Sequence, residues 1–248
     1  MTQPISMPWS APALTPPPHH WPGVRLVVFP FAPKSGAVEK ILPPGMEAAD
    51  GPALITMLTY PQTPIIHPFR ELVVMVPVRV GNVEGNYVPY IYVTTDEALI
   101  AGREIAGFPK KLADVVWERD GDRFRGSATR WGKRILSLEG TISGVMPAEM
   151  AAAQSEVTRR PSINYKLVPG PAGEIEIEEI TATQLEVVPR QVEMGSGQVR
   201  CEASEWDPVS ELVPDGEGPL IAIVSDNTIP AGRVLKRIDR TGSARRSA

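Results

Sequence analysis

Residues 53–95 read ALITMLTYPQTPIIHPFRELVVMVPVRVGNVEGNYVPYIYVTT, and this stretch decides the predicted fold. It holds three runs rich in β-branched and aromatic residues, ALITMLTY, ELVVMVPVRV and NYVPYIYVTT, separated by segments rich in Pro, Asn and Gly. Runs of this kind, bounded by turn residues, are typical of β-strands. Two prolines inside the runs, Pro77 and Pro89, favour sheet edges or bulges at those positions. The stretch therefore predicts three consecutive strands.

The same pattern continues on both sides of this stretch. Further strands are predicted over residues 25–31, in a hairpin over 112–131, and over 134–143, 174–188 and 219–238. Short helices are predicted at residues 35–42, 95–105 and 147–156 from their caps and apolar spacing. Because strands outnumber helices, the pattern predicts an α+β, mostly β, barrel-like architecture.

The length and composition favour a single globular domain. A chain of 248 residues, with 42% hydrophobic and 22% charged residues, is long enough to bury a substantial core. Residues 1–23 are rich in proline and are predicted to form an extended N-terminal arm. The domain is predicted over residues 24–240, and residues 241–248 are predicted to form a disordered tail.

Charge and cysteine usage exclude several classes of protein. The 25 Lys and Arg residues nearly balance the 29 Asp and Glu residues, so no nucleic-acid partner is expected. The single cysteine, Cys201, excludes an intramolecular disulfide framework and favours a reducing compartment. Without a signal-like N-terminus or a run of about 18 apolar residues, the chain is predicted to be cytoplasmic with no membrane partner. No metal-ligand constellation or Gly-rich phosphate loop occurs, so neither a metal nor a cofactor is expected.

The lysine pair Lys110-Lys111 follows a Gly-Phe-Pro turn. Adjacent lysines in a loop are most often a solvated surface, but their neighbours change this interpretation. GREIAGFPKKLA at residues 102–113 closely resembles the active-site signature of the acetoacetate decarboxylase superfamily, in which Gly-Arg-Glu precedes an aromatic-Pro-Lys-Lys-Leu segment. Weaker resemblance extends to LPPGME at 42–47 and to RP at 160–161 with the following NYKL.

This resemblance implies a fold and a nucleophile. The fold is a cone-shaped antiparallel β-barrel with flanking strands and a few helices, a pocket inside the barrel, and assembly as a homo-oligomer. The family is itself the standard example of an amine activated by desolvation or by a cationic neighbour, and its first signature lysine forms a Schiff base with the substrate carbonyl. The matching residue is Lys110. Lys111 is then secondary, either in electrostatic contact with substrate or structural.

Glu71 is implied as the acid/base residue, because an ungapped count from Lys110 places it on a glutamate that the family carries in its pocket. A carboxyl group beside a neutral amine can shuttle protons through carbinolamine, imine and enamine states. The alternative is a strand-edge glutamate paired with Arg70 or Arg103. The same count puts Thr56 where decarboxylating members have a second pocket glutamate, although a β-branched strand residue needs no such role.

Other substrate-binding residues follow with less support. Arg25 lies one residue out of register with an arginine that the family places near its pocket, where a guanidinium would clamp a carboxylate; the alternative is an exposed strand end. His67 and Phe69 share a strand face with Glu71 by two-residue alternation and are expected to line the same cavity. Phe108 belongs to the signature itself.

Two reactions share the Lys110 imine, and the loss of a glutamate at Thr56 ranks one slightly above the other. The first is aldol condensation and dehydration of pyruvate, or a similar keto acid, with an aldehyde. The second is decarboxylation of acetoacetate or a related β-keto acid. A third hypothesis is a non-catalytic β-barrel that binds a small ligand. In each case the partner is a small molecule.

Overall fold

The computed structural model describes residues 5–147, 149–151 and 160–238. The described residues form these strands: β1 (His19–Phe31), β2 (Glu47–Ala48), β3 (Ala53–Tyr60), β4 (Phe69–Val80), β5 (Val83–Val93), β6 (Lys110–Leu112), β7 (Asp114–Asp120), β8 (Arg123–Arg130), β9 (Lys133–Val145), β10 (Ser162–Pro169), β11 (Ile175–Thr183), β12 (Glu186–Cys201), β13 (Gly216–Ile229) and β14 (Arg233–Arg237). The helices are α1 (Ala37–Ile41), α2 (Asp96–Ala101) with a π-helical continuation (Gly102–Ala106), and α3 (Val209–Leu212). Most of the predicted helix at 147–156, and the predicted tail at 241–248, lie outside the described residues.

These strands form one large mixed sheet. Its order is β14-β11-β10-β5-β4-β3-β1-β13-β12-β9-β8-β7, with β2 on β4 and β6 on β5. Most neighbours are antiparallel, but β10 and β6 both pair with β5 in parallel. The prediction of a mostly β, α+β fold is confirmed. The sheet is not closed into a barrel, because in the described part of the chain β14 and β7 do not pair with each other.

Several observed elements differ from the sequence-based expectation, among them β1, β10 and β12. Strand β1 begins at His19, so the last residues of the predicted arm belong to the sheet, and a bulge between Trp21 and Val24 accommodates Pro22-Gly23. Strand β10 was not predicted as a strand. Strand β12 was predicted only at its start, since its Gly195 and Gly197 indicate turns locally.

The glycines of β12 are instead required by close strand packing. A Cβ atom at Gly195 would lie 1.9 Å from the Thr141 carbonyl oxygen on β9, and one at Gly197 would lie 2.6 Å from the Glu139 carbonyl oxygen. Glycine in a strand can mark such an approach of another backbone. The long-range pairing of β12 with β9 and β13 therefore outweighs the local turn signal.

Both faces of the central strands are buried, which explains their nearly continuous hydrophobic runs. On β1, Val27 and Phe29 belong to one core cluster, whereas Leu26 and Val28 belong to a second. The second cluster surrounds a cavity, so alternate residues of the central strands line it. No helix in the described residues is long and apolar enough to cross a membrane.

Candidate active site

Lys110 and Glu71 form a close pair at the cavity wall. The Lys110 Nζ atom lies 2.7 Å from Glu71 Oε2, and the two side chains are 11% and 8% exposed. Glu71 lies on β4 opposite Val93 of β5, and Lys110 begins β6 opposite Ile91 of β5. Glu71 and Lys110 therefore meet because their strands both pair with β5, although 39 positions separate them in the chain.

The connection before β6 delivers Lys110 to this position. Thr95 caps α2, and the helix widens into the π-helical segment and ends at Gly107, whose φ of 75° suits glycine. A Cβ atom at Gly102 would lie 2.5 Å from Lys110 Cδ. The Lys110 side chain therefore passes directly over Gly102, where only a hydrogen leaves enough room.

The end of the π-helical segment is fixed by neighbouring strands. Lys166 on β10 donates to the Glu104 carbonyl oxygen, and Thr181 on β11 donates to the Ala106 carbonyl oxygen. Arg103 donates to the Lys110 carbonyl oxygen at 3.4 Å. These contacts satisfy carbonyl groups that a helix end otherwise leaves unpaired.

Aromatic rings enclose the Lys110–Glu71 pair. The centroids of Phe69 and Phe108 lie 5.6 Å and 5.9 Å from Lys110 Nζ. Tyr60 stacks on Phe69 with the ring centroids 4.3 Å apart. Burial, and secondarily the charge of Glu71, raise the pKa of Tyr60, so its phenol stays protonated. The amine thus faces an apolar cavity in which one carboxylate is the adjacent charge.

The cavity has a volume of about 190 Å³ and a mostly apolar wall. Thr56, Phe69, Glu71, Phe108 and Lys110 all line it, so the structure brings these five residues together. Thr56 is 5% exposed. Among the described residues of the wall, Glu71 is the only carboxylate, and Arg160 is the only guanidinium.

Lys111 does not line the cavity. Because side chains alternate along a strand, β6 turns Lys111 to the opposite face from Lys110. There its Nζ lies 2.7 Å from Asp207 Oδ1 and donates to the Trp206 carbonyl oxygen. Asp207 is 2% exposed and also accepts a hydrogen bond from Tyr92. Lys111 was expected to contact the substrate. In the structure it instead anchors β6.

Arg25 and His67 also lie away from the cavity. Arg25 is exposed and points from the face of β1 opposite to Leu26, which lines the cavity. His67 precedes the start of β4 at Phe69, so strand alternation does not extend to it. Its side chain is 82% exposed, and the hydrogen bond to Glu97 raises the pKa of His67. Neither residue is positioned to contact a ligand beside Lys110 in this chain.

The wall residues that were not found from the sequence include Trp21, Tyr60, Arg160 and Asn227. Tyr60 lies four positions after Thr56, on the same face of β3, so alternation could have identified it. Arg160 stands in the segment that resembles the family, but only the fold brings it to the wall. Trp21 and Asn227 required knowledge of the β1–β13 pairing.

No three His, Cys, Asp or Glu side chains cluster among the described residues in a way that could hold a metal ion. The chemical groups that line the cavity include an amine, a carboxylate, a phenol and a threonine hydroxyl. An amine in contact with a carboxylate can attack a carbonyl while the carboxylate acts as a general acid and base.

Comparison with known proteins agrees with the fold and the signature. A curated acetoacetate decarboxylase of Clostridium botulinum (strain Eklund 17B / Type B) is 23% identical over 239 residues, which cover 93% of this chain and 94% of the relative. The crystal structure of acetoacetate decarboxylase from Legionella pneumophila superposes with a TM-score of 0.85 at 21% identity, over 94% of this chain and 92% of that one.

A second group of similar structures consists of structures of the enduracididine biosynthesis enzyme MppR. Its complex with pyruvate superposes with a TM-score of 0.80 at 20% identity, over 94% of this chain and 97% of that one. Another MppR structure holds the condensation product of pyruvate and imidazole 4-carboxaldehyde. The family model for acetoacetate decarboxylase matches residues 2–238. Because this match spans nearly the whole sequence and includes the signature around Lys110, the chain belongs to the acetoacetate decarboxylase family.

Proposed function

We propose that the protein is a lyase in which Lys110 forms a Schiff base with the carbonyl of a small keto acid. The observation that carries the proposal is the 2.7 Å contact between Lys110 and Glu71 in a largely apolar cavity. An amine at the surface would remain a solvated ammonium, which cannot attack a ketone. Glu71 is close enough to take a proton from the Lys110 amine directly.

The first steps follow from this pair. The ammonium of Lys110 gives a proton to Glu71, and the free amine attacks the ketone carbon to form a carbinolamine. Glu71 returns the proton to the carbinolamine oxygen, which leaves as water and yields the imine. Phe69, Phe108 and Thr56 are proposed to contact the substrate, because they line the cavity beside the amine.

After the imine has formed, we rank aldol condensation and dehydration first. Glu71 removes a proton from the carbon next to the imine and gives an enamine, whose carbon forms a bond to the aldehyde carbon. The resulting alkoxide takes that proton back from Glu71. Glu71 then removes a second proton from the same carbon and gives it to the departing hydroxyl group, which leaves as water, and hydrolysis of the imine by water releases an unsaturated keto acid. Thr56 supports this ranking, because a hydroxyl group can orient an aldehyde oxygen but adds no negative charge.

Decarboxylation of acetoacetate is the second candidate. The observation that favours it is the similarity of this chain to curated acetoacetate decarboxylases along more than nine-tenths of its length. The imine would then accept the electron pair left when carbon dioxide departs. A second carboxylate would help by destabilising the bound anion relative to the transition state, but Glu71 is the one carboxylate among the described residues of the wall.

One pair of assays separates the two reactions. Pyruvate with an aldehyde is followed by the ultraviolet absorbance of the conjugated product, and acetoacetate is followed by headspace carbon dioxide. We expect condensation and little carbon dioxide; rapid carbon dioxide release without condensation reverses the ranking. Borohydride reduction with either substrate, followed by peptide mapping, tests the imine itself. Reversible binding without any reducible adduct identifies a ligand carrier instead.

The proposal also includes assembly as a homo-oligomer, which rests on the family resemblance, and a cytoplasmic location, which rests on the cysteine usage. The substrate partner is a small keto acid, with an aldehyde as the second reactant. Sedimentation velocity of the full chain measures the assembly state directly.

A further inference from the structure

Trp21 and Asn227 face each other across the β1–β13 pairing, and each is a residue of the cavity wall that carries a hydrogen-bond donor. The two residues are direct partners in this antiparallel pair, so their side chains stand next to each other on one face. They are 5% and 2% exposed, and both line the cavity that contains Lys110.

Neither donor has a partner in the described part of the protein. Trp21 Nε1 and Asn227 Nδ2 are both buried, and no described protein group accepts a hydrogen bond from them. Most buried polar groups in native proteins are paired, because a buried donor that has lost water and gained nothing is destabilising. Two unpaired donors side by side therefore indicate a binding site rather than a packing accident.

Surrounding contacts hold both groups in place. Asn227 Oδ1 accepts a hydrogen bond from Ser225 at 2.8 Å, which leaves the amide N–H groups for the cavity. The Trp21 ring meets Tyr60 and Phe69 edge to face, with centroid distances of 5.9 Å and 6.2 Å. The donors are therefore held before a ligand arrives, so little side-chain freedom is lost on binding.

The chemistry of the two donors, Trp21 and Asn227, indicates which chemical group of a ligand they can bind. Indole and amide N–H groups donate but do not accept, so the complementary group is an acceptor oxygen. Both donors are neutral, whereas protein sites for carboxylates commonly use a guanidinium. Phe69 contacts both Trp21 and Lys110, so this subsite is separated from the amine by one aromatic ring.

We propose that Trp21 and Asn227 form a subsite for an uncharged oxygen, a hydroxyl, carbonyl or ether group, on the far part of a keto acid joined to Lys110. The inference rests on the proposed function, since it takes Lys110 as the attachment point. It concerns keto acids longer than pyruvate, and among them it favours those that carry an additional oxygen several bonds from the reacting carbonyl over those with a purely hydrocarbon chain.

The test compares probes that differ by a single atom. One pair is 2-oxoheptanoate and 5-methoxy-2-oxopentanoate, and the other is 2-oxooctanoate and 6-methoxy-2-oxohexanoate; in each, an ether oxygen replaces one methylene group. Borohydride trapping at Lys110, quantified by mass spectrometry, gives a ratio of methoxy to hydrocarbon probe. We expect a ratio of roughly fivefold or more in at least one pair, the scale of a neutral hydrogen bond.

Two variants assign that preference to the donors. Trp21→Phe and Asn227→Leu each remove a donor at nearly constant shape, and we expect the ratio to fall toward one in both. The ratio cancels a general loss of trapping, and thermal unfolding checks that each variant is folded. Trp131→Phe is the matched control, because Trp131 is 72% exposed and does not line the cavity. It should keep the wild-type ratio.

The outcomes separate this inference from the proposed function. A wild-type ratio near one or below in both pairs, or an unchanged ratio in both donor variants, overturns the subsite. If no probe and no pyruvate can be trapped, the imine chemistry fails. Calorimetric dissociation constants of the same probe pairs then decide whether the donors still select an oxygen.

Discussion

At the scale of single residues, the two adjacent lysines have different partners and lie on different faces of β6. Lys110 faces Glu71 and two phenylalanine rings, whereas Lys111 reaches Asp207 on the other side of β6. The difference follows from strand alternation and would not arise in a flexible loop. The short strand β6 therefore holds the Lys110 amine toward the cavity and the Lys111 amine away from it.

We expect Lys110→Arg to abolish imine trapping and Lys111→Arg to retain it. Arginine keeps the positive charge but does not become a free amine at accessible pH. Lys111→Arg is the matched control, since it introduces the same residue one position away. Peptide mapping after borohydride reduction with pyruvate measures both, and an intact adduct in Lys110→Arg contradicts the assigned nucleophile.

Glu71→Gln should preserve folding but slow turnover by roughly a hundredfold or more, the usual scale for a lost acid/base group. The amide still accepts a hydrogen bond from Lys110 but no longer takes a proton. Steady-state kinetics of the condensation and thermal unfolding are measured together. Glu39→Gln, at an exposed position of α1, serves as the control. Unchanged turnover in Glu71→Gln would assign this residue a structural role.

At the scale of elements, the α2–π-helix–β6 connection positions the residues of the sequence signature around the cavity. Its glycine, aromatic and lysine residues are close in the chain, and the π-helical segment aims them at the cavity. Single-turn π-helical segments often occur at functional sites. The opposite face of β6 is anchored by Lys111 and Asp207, so β6 is held from both sides.

Gly102→Ala should impair imine formation without unfolding the protein. Gly102 has helical φ and ψ of −65° and −47°, so alanine fits its backbone. The new Cβ would lie 2.5 Å from Lys110 Cδ, and the flexible lysine chain would move aside. Because misplacement of a reacting group by about 1 Å can cost about a hundredfold, we expect trapping rates to fall by roughly ten- to a hundredfold.

The control for this substitution is Gly144→Ala on β9, where a Cβ atom meets nothing within 4 Å. Trapping kinetics with pyruvate and the midpoint of urea unfolding are compared for both variants. A wild-type trapping rate in Gly102→Ala would mean that the close approach to Lys110 does not constrain the amine.

At the scale of the whole molecule, burial on both faces of one sheet raises the pKa of several weak acids. Burial raises the pKa of the Cys201 thiol from an ordinary value near 9 to about 12, and raises that of Tyr87 to about 12. Burial likewise raises the pKa of Tyr60 and Tyr92. These groups hold their protons more tightly in the folded state than in the unfolded chain.

The free energy of unfolding should therefore decrease as the pH rises from about 9 toward about 12. In this range the unfolded chain releases protons that the folded protein keeps, so the unfolded state gains stability. Urea unfolding at several pH values measures the effect. Cys201→Ala should flatten the decrease near pH 9, where tyrosines of the unfolded chain are still mostly protonated. Constant stability across the range would contradict the prediction.

The sequence alone determined the fold class and the position of the family signature, because both depend on local order. Runs of β-branched and aromatic residues predict strands wherever they pair, and residues 102–113 carry a specific signature in consecutive positions. The same reasoning failed at β12, whose glycines indicate turns locally but are needed for packing against β9. Alternation also failed at His67, because β4 starts two residues later.

The tertiary structure decided which side chains meet. The Lys110–Glu71 contact depends on both strands pairing with β5, and the Trp21–Asn227 pair joins strands about two hundred residues apart. It also separated Lys110 from Lys111 and turned Arg25 away from the cavity. Strand pairing and register are long-range properties, and a shift of one residue reverses every side chain. For this reason the signature lysine could be located from the chain, while its surroundings required the folded sheet.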